Sequence, residues 1–297
     1  MKTSLLLALA ACAPVIPQKT LVQRAALPAG LPPLAPCALL HLTVDDNLSN
    51  GARGFFRGDW KVSYATFLIR HPRGIVLVDA AFGDTVNADL DAAPWWFRWQ
   101  FNKARAARPL AALLQEAGVK PEEVSLVLLT HAHWDHAGGL AQLPNARVLT
   151  ADDWILSREG AVADLAMPHH FDKVRDRVER LRFDGPAYDG FAASHDVFGD
   201  GSIVAVPTPG HTSGATSWFV NAAGGKRWLF IGDAAWVKEG FEEPVVKGRL
   251  ASMFADHDAQ QTADSLGLLH AVFAAHAANL VTTHDERTWT DIPLCSK

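Results

Sequence analysis

The sequence predicts an α/β fold in which β-sheets pack together and helices lie on the outside. Three observations lead to this prediction: short apolar segments with strand character recur along the chain, segments with helical spacing lie between them, and histidines and aspartates collect where predicted strands end. The chain has 297 residues, of which 49% are hydrophobic and 20% charged, which is enough apolar material for one large core. We therefore expect one globular domain over residues 41–297, preceded by an N-terminal extension.

The first predicted elements are a hairpin, a helix and a buried strand. Residues 62–70 and 75–78 are rich in β-branched and aromatic side chains, and the His-Pro-Arg-Gly segment between them is typical of a turn. Residues 105–117 have apolar side chains at helical spacing, and residues 125–129 form an apolar run. Further along the chain we expect strands at 147–149, 202–206, 218–220, 228–231 and 279–283, and helices at 172–181 and 262–277.

A dense cluster of histidine and aspartate follows the strand predicted at 125–129. It reads His131-Ala132-His133-Trp134-Asp135-His136, and it gathers four imidazole or carboxylate groups, the ligand types that zinc and similar cations favour. Residues two apart in an extended strand end point the same way, so His131 and His133 can reach one metal ion. A single histidine is more often a hydrogen-bonded structural residue. Packing gives no reason to gather four costly polar groups, so we interpret the cluster as metal-binding.

This segment resembles the HxHxDH signature of the metallo-β-lactamase superfamily, and the resemblance extends from about residue 64 to residue 285. The later motifs follow in the family's order: Pro209-Gly210-His211-Thr212, Gly232-Asp233-Ala234 and Thr283-His284-Asp285, each after a predicted strand. The resemblance implies a four-layer αββα sandwich with two divalent metal ions. Zinc is the default ion for these ligand types, with iron, manganese or cobalt as alternatives.

The resemblance also assigns the ligands. One metal ion would be held by His131, His133 and His211, the other by Asp135, His136 and His284, and Asp233 would bridge the two. The other histidines match no ligand position and are interpreted as structural or surface residues, although this interpretation is weakest for His169 and His170.

A pair of cations implies hydrolysis. Two nearby cations lower the pKa of a shared water, so that hydroxide is available near neutral pH as the nucleophile. One metal ion would polarise the scissile carbonyl or phosphoryl oxygen, and the other would stabilise the leaving oxygen. Asp135 is the predicted catalytic residue, since its carboxylate would orient the hydroxide and carry a proton to the leaving group.

Asp233 and Trp236 bear on the substrate. A bridging aspartate favours ester, lactone, thioester or phosphoester substrates, and among family members the sequence is most similar to lactonases acting on N-acyl homoserine lactones. Those lactonases commonly have a tyrosine three residues after the bridging aspartate, where this chain has Trp236. An organophosphate or aryl ester hydrolase is therefore the alternative. A non-catalytic binding or sensing module is less favoured, because all seven ligands are present.

Two aromatic segments could extend the site. Residues 94–101 contain five aromatic side chains, and residues 53–60 form a similar segment with glycines. Either could form an apolar rim that accepts an acyl or aryl group of a small-molecule substrate, a homodimer contact or a surface that touches lipid. Core packing is the alternative. Nucleic acid is not an expected partner, because the net charge is -5 and the basic residues are scattered.

The N-terminus resembles an export signal. Residues 1–13 have a positive start and a short apolar stretch, and Leu9-Ala10-Ala11-Cys12 resembles a lipobox in which Cys12 would receive a lipid anchor. We expect a periplasmic, membrane-anchored or secreted protein, or a cytoplasmic one if this segment is not a signal. Residues 14–40 form a predicted proline-rich linker or strap. In an oxidising compartment Cys37 and Cys295 could pair, but two free thiols are the favoured interpretation.

Overall fold

The computed structural model describes residues 14–21, 24–45, 61–152 and 166–296. The predicted export signal, with Cys12, and the predicted aromatic segment at 53–60 lie outside these ranges.

Eleven strands occur in the described part of the chain, and the helices lie between them. The strands are β1 (Cys37–Asp45), β2 (Lys61–His71), β3 (Gly74–Val78), β4 (Val124–Leu128), β5 (Arg147–Thr150), β6 (Val178–Arg180), β7 (His195–Asp196), β8 (Ile203–Pro207), β9 (Thr216–Asn221), β10 (Arg227–Gly232) and β11 (Asn279–Thr282). The α-helices are α1 (Val86–Ala92), α2 (Trp95–Phe101), α3 (Leu110–Glu116), α4 (Trp134–Ala137), α5 (Glu239–Glu242), α6 (Arg249–Ala255) and α7 (Ala259–Ala274). The predicted hairpin is confirmed as β2 and β3, which pair antiparallel.

The strands form two sheets. The first has the order β1-β2-β3-β4-β5-β6 and the second has the order β11-β10-β9-β8-β7. Strands β3, β4, β5 and β6 run parallel to one another, as do β10 and β11. The carboxyl ends of parallel strands lie at the same edge of a sheet, so the loops that follow them meet there.

Alternating side chains build the layers. In β8 and β10, Ile203, Ala205 and Phe230 belong to the cluster shared with the first sheet, whereas their neighbours Val204 and Leu229 belong to the cluster shared with α7. A third cluster packs α3 against the outer face of the first sheet. Helix, sheet, sheet and helix therefore follow one another, which confirms the predicted four-layer αββα sandwich. Strands with both faces covered are mostly apolar, as β4 (VSLVL) and β10 (RWLFIG) are.

Two predicted helices differ from those observed. Residues 172–181 were expected to be helical, but the structure has one short 3-10 helix (Arg175–Arg177) followed by β6, which pairs parallel with β5. That prediction was wrong because the pairing of residues 178–180 with a sheet edge outweighs the local charge pattern. The helix expected at 105–117 begins only at Leu110, after Pro109, because proline favours the first turn of a helix and disfavours its interior.

The two cysteines are joined, contrary to the favoured interpretation of two free thiols. Cys37 and Cys295 form a disulfide across 258 residues of sequence, with Cα atoms 5.0 Å apart. The carbonyl oxygen of Ala38 accepts a hydrogen bond from the Cys295 backbone N–H at 2.9 Å, which brings the C-terminal segment to β1. Pairing could not be decided from the sequence because it depends on this long-range contact.

The aromatic segment at 94–101 divides between core and surface. It forms α2, in which Phe97 is buried against Phe101 and Trp134, while Trp95 and Trp99 are 73% and 64% exposed. Core packing therefore accounts for Phe97 but not for the exposed indoles. The rim, dimer contact and lipid contact stay predictions for that exposed face.

No helix in the described ranges combines the length and the apolar character that a membrane span requires.

Candidate metal centre

The loop after β4 positions four of the predicted ligands. Strand β4 ends at Leu128, His131 and His133 follow it, His133 in extended backbone, and the short helix α4 carries Asp135 and His136. Gly139 lets this loop pack against the chain after β3, since a Cβ atom there would lie 2.3 Å from the Ala80 carbonyl oxygen. Gly139 is thus required for close packing.

The other three ligands follow the carboxyl ends of three strands in the second sheet: His211 after β8, Asp233 after β10 and His284 after β11. A glycine precedes two of them. Gly210 has φ +134 and Gly232 has φ +50, and a Cβ atom on Gly232 would lie 2.5 Å from the Thr130 hydroxyl oxygen. The two sheets therefore approach each other closely at this edge.

The structure brings all seven predicted residues together. Ligand atoms lie within 4.8 Å of one another in three overlapping groups: His131, His133 and His211; Asp135, His136 and His284; and His131, His136 and Asp233. The first two groups match the two ligand sets that the sequence resemblance implies. All seven side chains are buried, Asp135 being the most exposed at 9%.

The carboxylate of Asp233 lies between the two groups. Its Oδ1 is 3.2 Å from Nε2 of His136 and 3.1 Å from Nε2 of His284, whereas its Oδ2 is 3.3 Å from Nε2 of His211. One oxygen thus faces each histidine group. This is the arrangement expected of a carboxylate that bridges two cations.

The donor set fits metal ions. Nε2 of His131, Nε2 of His136 and Oδ1 of Asp233 are buried and make no hydrogen bond within the described part of the chain. Buried polar atoms without partners are costly, so their convergence here needs a compensating interaction. Imidazole nitrogens and carboxylate oxygens around one point are a donor set that suits divalent cations such as zinc.

Burial and neighbouring charges set the protonation of these groups. Burial, together with the adjacent imidazoles, holds the pKa of His131 and of His133 well below the usual value, so both rings are neutral near pH 7. Burial opposes ionisation of Asp233 as well, but His284 and His136 hold the pKa of its carboxyl well below the usual range. Neutral imidazoles and an ionised carboxylate are the forms that bind metal ions.

Asp79 is a residue that the sequence reasoning missed. Its Oδ2 lies 2.8 Å from Nδ1 of His136, and its Oδ1 accepts a hydrogen bond from the Thr130 backbone N–H at 2.8 Å. Metal-binding histidines usually have such a partner on the second ring nitrogen, which fixes the orientation of the ring. Asp79 directly follows β3, so the rule that polar residues collect at strand ends could have found it.

Asp256 and Lys247 support the opposite side. Oδ1 of Asp256 lies 3.1 Å from Nδ1 of His211, and Lys247 Nζ donates to the same Oδ1 at 2.6 Å and to the Asp233 carbonyl oxygen at 2.7 Å. Burial opposes ionisation, but Lys247 and His211 hold the pKa of Asp256 below its usual range. These residues lie in loops without a local sequence pattern, so the sequence offered no signal for them.

Asp152 is a further missed residue, and it follows β5. Its Oδ2 accepts from the Ala132 backbone N–H at 2.8 Å and its Oδ1 from the Gly214 backbone N–H at 3.0 Å. Burial raises the pKa of this carboxyl to about 6. The side chain connects the loop of the first two histidines to the loop that follows His211.

Trp236 contacts the bridging carboxylate. Its Nε1–H donates a hydrogen bond to Oδ2 of Asp233 at 2.6 Å, and the Lys247 ammonium lies 5.1 Å from the indole centroid. The sequence showed only that this indole stands where related lactonases have a tyrosine. In the structure, its N–H is engaged by Asp233.

The chain is similar to known lactonases in sequence and in fold. N-acyl homoserine lactonase AttM from Agrobacterium fabrum is 27% identical over 254 residues, covering 82% of this chain and 88% of the relative. The fold is similar to that of an N-acyl homoserine lactone hydrolase with N-hexanoyl-L-homoserine bound at its catalytic metal center (TM-score 0.62, 18% identity, 89% of this chain and 97% of the other). It is also similar to AidC, a dizinc quorum-quenching lactonase (TM-score 0.59, 18% identity, 86% and 89%).

The family itself is shown by a match to a family model. Residues 60–275, well over half of the chain, match the metallo-beta-lactamase superfamily. The chain therefore belongs to the metallo-beta-lactamase superfamily of metal-dependent hydrolases.

Proposed function

We propose that the protein hydrolyses the ester bond of lactones, N-acyl homoserine lactones in particular, at a centre that holds two divalent metal ions, zinc by default. The observation that carries the proposal is the placement of the Asp233 carboxylate, with one oxygen toward His136 and His284 and the other toward His211. The names of AttM and of the lactonase structures support the substrate class.

Each ligand has a role in this proposal. One ion would be held by His131, His133 and His211 and the other by Asp135, His136 and His284, with Asp233 shared. Two cations held by this donor set supply a water of lowered pKa and an electrophilic partner for the carbonyl oxygen. The chain contributes the neutral imidazoles of His131 and His133, the ionised Asp233 and a set of buried orienting groups, Asp79 and Asp256 among them.

Asp135 is the proposed proton carrier. It is the most exposed of the seven side chains, and its Oδ2 lies 3.7 Å from Nε2 of His284, so it borders both the ligand cluster and the solvent side. Water adds to the lactone carbonyl carbon and the ring C–O bond breaks. Asp135 takes the proton of that water and passes it to the leaving alkoxide oxygen, which gives the hydroxy acid.

An aryl ester or organophosphate hydrolase is the second candidate, and Trp236 favours it. The indole N–H is engaged by Asp233 Oδ2, so it is not available to a lactone carbonyl as a tyrosine hydroxyl would be. Substrates with a better leaving group depend less on such a donor.

A substrate panel tests the proposal. Zinc-loaded protein is assayed with a long-chain acyl homoserine lactone, an aryl phosphotriester, an aryl ester and a β-lactam, and each assay is repeated with Asp233→Ala. We expect lactone turnover and a loss of kcat/KM above about 100-fold in the variant, beyond the 10 to 100-fold typical of residues that only orient ligands. Asp264→Ala, an exposed aspartate on α7, is the matched control. Turnover of the aryl substrates alone would favour the second candidate, and no turnover of any substrate by the zinc-loaded protein would reject both.

We also propose that the protein is exported and tethered through a lipid on Cys12. The disulfide between Cys37 and Cys295 supports export, because such bonds persist in oxidising compartments. Fractionation of cells that make the full chain tests this: the protein should be found with the membrane, and Cys12→Ser should release it. A wild-type protein found in the cytoplasm would refute export.

A further inference from the structure

A second cluster of metal-ligating side chains lies apart from the candidate metal centre and shares no residue with it. Asp89 is on α1, and His169 and His170 are neighbours in a 3-10 turn over Pro168–Phe171. Nε2 of His169 lies 2.7 Å from Oδ1 of Asp89, and Nε2 of His170 lies 2.9 Å from Oδ2. The three residues offer ligand atoms within 4.8 Å of one another, the same limit that the groups of the main centre meet.

The two imidazole rings are arranged like a pair at the main centre. The ring centroids of His169 and His170 are 4.5 Å apart and the ring planes are inclined by 68°. For His131 and His133 the corresponding values are 4.5 Å and 81°. Both pairs thus present two inclined imidazoles toward a common point near a carboxylate.

Burial leaves this cluster one open side. The side chains of Asp89 and His170 are 5% and 2% exposed, whereas that of His169 is 51% exposed. A cation can therefore enter from solvent past His169, and water can complete its coordination. Two imidazoles and one carboxylate with open positions are a donor set found in protein metal sites.

The charge of the cluster is favourable to a cation. Burial alone would raise the pKa of Asp89, but hydrogen bonds from His170, His169 and the Thr85 hydroxyl lower it below the usual value. The carboxylate is therefore ionised at neutral pH. Its two oxygens lie on the inner side of the cluster, facing the imidazoles.

We propose that Asp89, His169 and His170 form a third, mononuclear metal site that binds Zn²⁺. The ion would join α1 to the turn that contains the two histidines. Met167, just before that turn, packs against the aromatic cluster of Phe97 and Trp134. In the sequence, Trp134 stands between two ligands of the main centre, His133 and Asp135. The third ion would thus stabilise the segment beside the main centre without contacting substrate.

Metal counting tests this proposal. The protein is loaded with Zn²⁺, dialysed against metal-free buffer and analysed by mass spectrometry for zinc per chain. We expect three zinc ions in the wild type, two in His169→Ala and two in His170→Gln, the second variant serving if the first does not fold. His195→Ala is the matched control, since His195 also contacts an aspartate, Asp184, but forms no metal-ligand cluster with a second histidine in the described part of the chain; it should keep three zinc ions.

A different zinc count would overturn the proposed site. Two zinc ions in the wild type and in His169→Ala would show that the cluster is a hydrogen-bonded contact only, and the proposal would fail. A loss of zinc in His195→Ala as well would indicate nonspecific surface binding, with the same conclusion. Asp233→Ala separates the two sites, because it should lose the ions of the main centre while retaining the one at Asp89. The retained ion should give a zinc-dependent rise in Tm, and Asp233→Ala/His169→Ala should lack that rise.

Discussion

Asp79 is held in a backbone conformation that few residues adopt. Its φ is 61°, in the left-handed region where asparagine, aspartate and glycine are the residues usually found. The carboxylate is buried and contacts His136 and Thr130. Its position directly after β3 thus combines an unusual backbone with the orientation of a candidate ligand.

Asp79→Asn should weaken the centre while preserving the fold. Asparagine keeps the size and tolerates the positive φ, but it replaces the carboxylate partner of His136 Nδ1 with a neutral amide. We expect kcat/KM, or zinc affinity at the group of His136, to fall by about 10 to 100-fold. Kinetics and a zinc titration measure this, with Tm as the check on folding. An Asp79→Asn protein with unchanged zinc affinity and activity would contradict the assigned role.

His41 is a buried histidine with a structural role. Its Nδ1 lies 2.7 Å from the Arg108 carbonyl oxygen and its Nε2 lies 3.2 Å from the Thr66 hydroxyl. Burial lowers the pKa of His41 from 6.5 to about 4. Between pH 6.5 and about pH 4 the unfolded chain binds more protons at His41 than the folded protein does. The free energy of unfolding therefore decreases as the pH falls through this range.

The expected loss from His41 between pH 7 and 5 is about 2 kcal/mol. Urea unfolding at both pH values measures it, and the comparison is with His41→Gln, which has no group that titrates in this range. The variant should be less stable at pH 7 but should lose less on acidification. An equal loss in both proteins would assign the pH dependence to other residues.

The ligands could be predicted from the sequence, whereas most of their supporting residues could not. His131 and His133 belong to a short motif whose chemistry is visible locally. Asp256 reaches His211 across 45 positions of sequence, and only the packed fold shows that contact.

Helix α7 and the loop of His211 depend on one glycine for their close approach. A Cβ atom on Gly210 would lie 2.1 Å from the backbone nitrogen of Thr262, in the first turn of the helix. Asp258 caps that turn by accepting hydrogen bonds from the N–H groups of Gln260 and Gln261. Because the added Cβ atom would meet backbone atoms of the helix, no flexible side chain could move aside to relieve the clash.

Gly210→Ala should therefore displace His211 or the start of α7. We expect loss of the ion held by His211 and destabilisation of more than about 2 kcal/mol, because strain from the positive φ is added to the clash. Gly224→Ala is the matched control: it has φ +75 and no atom within 4 Å of the added Cβ, so only the backbone strain of about 1 kcal/mol applies. Zinc content and urea unfolding measure both. Similar effects in the two variants would show that the contact with α7 is unimportant.

Helices and strands could be predicted from the sequence where their own apolar periodicity was clear. The hairpin of β2 and β3 and the helix α7 follow from their apolar periodicity. The structure of segment 172–181 could not be predicted in this way, because its short strand β6 is fixed by pairing with β5 rather than by its own composition.

At the scale of the whole molecule, the first and last described segments are bound to the body of the fold. Near the N-terminal side, the Ala25 backbone N–H donates to Asp189 Oδ1 and Arg24 donates to the Ala277 carbonyl oxygen. At the other end, the Cys295 segment is joined to β1 by the disulfide and by backbone hydrogen bonds. These two described segments thus contribute to stability in a way that no local sequence pattern shows.

Reducing the disulfide should lower the free energy of unfolding by about 2–4 kcal/mol, because the unfolded chain is released from a long closed loop. Urea unfolding of the wild type with and without reductant measures this. Cys37→Ser/Cys295→Ser should resemble the reduced wild type and be insensitive to reductant, which separates the bond from other effects of the reagent. If both cysteines of the unreduced, denatured wild type react with a thiol reagent, the bond is absent and the two free thiols first expected from the sequence would be restored.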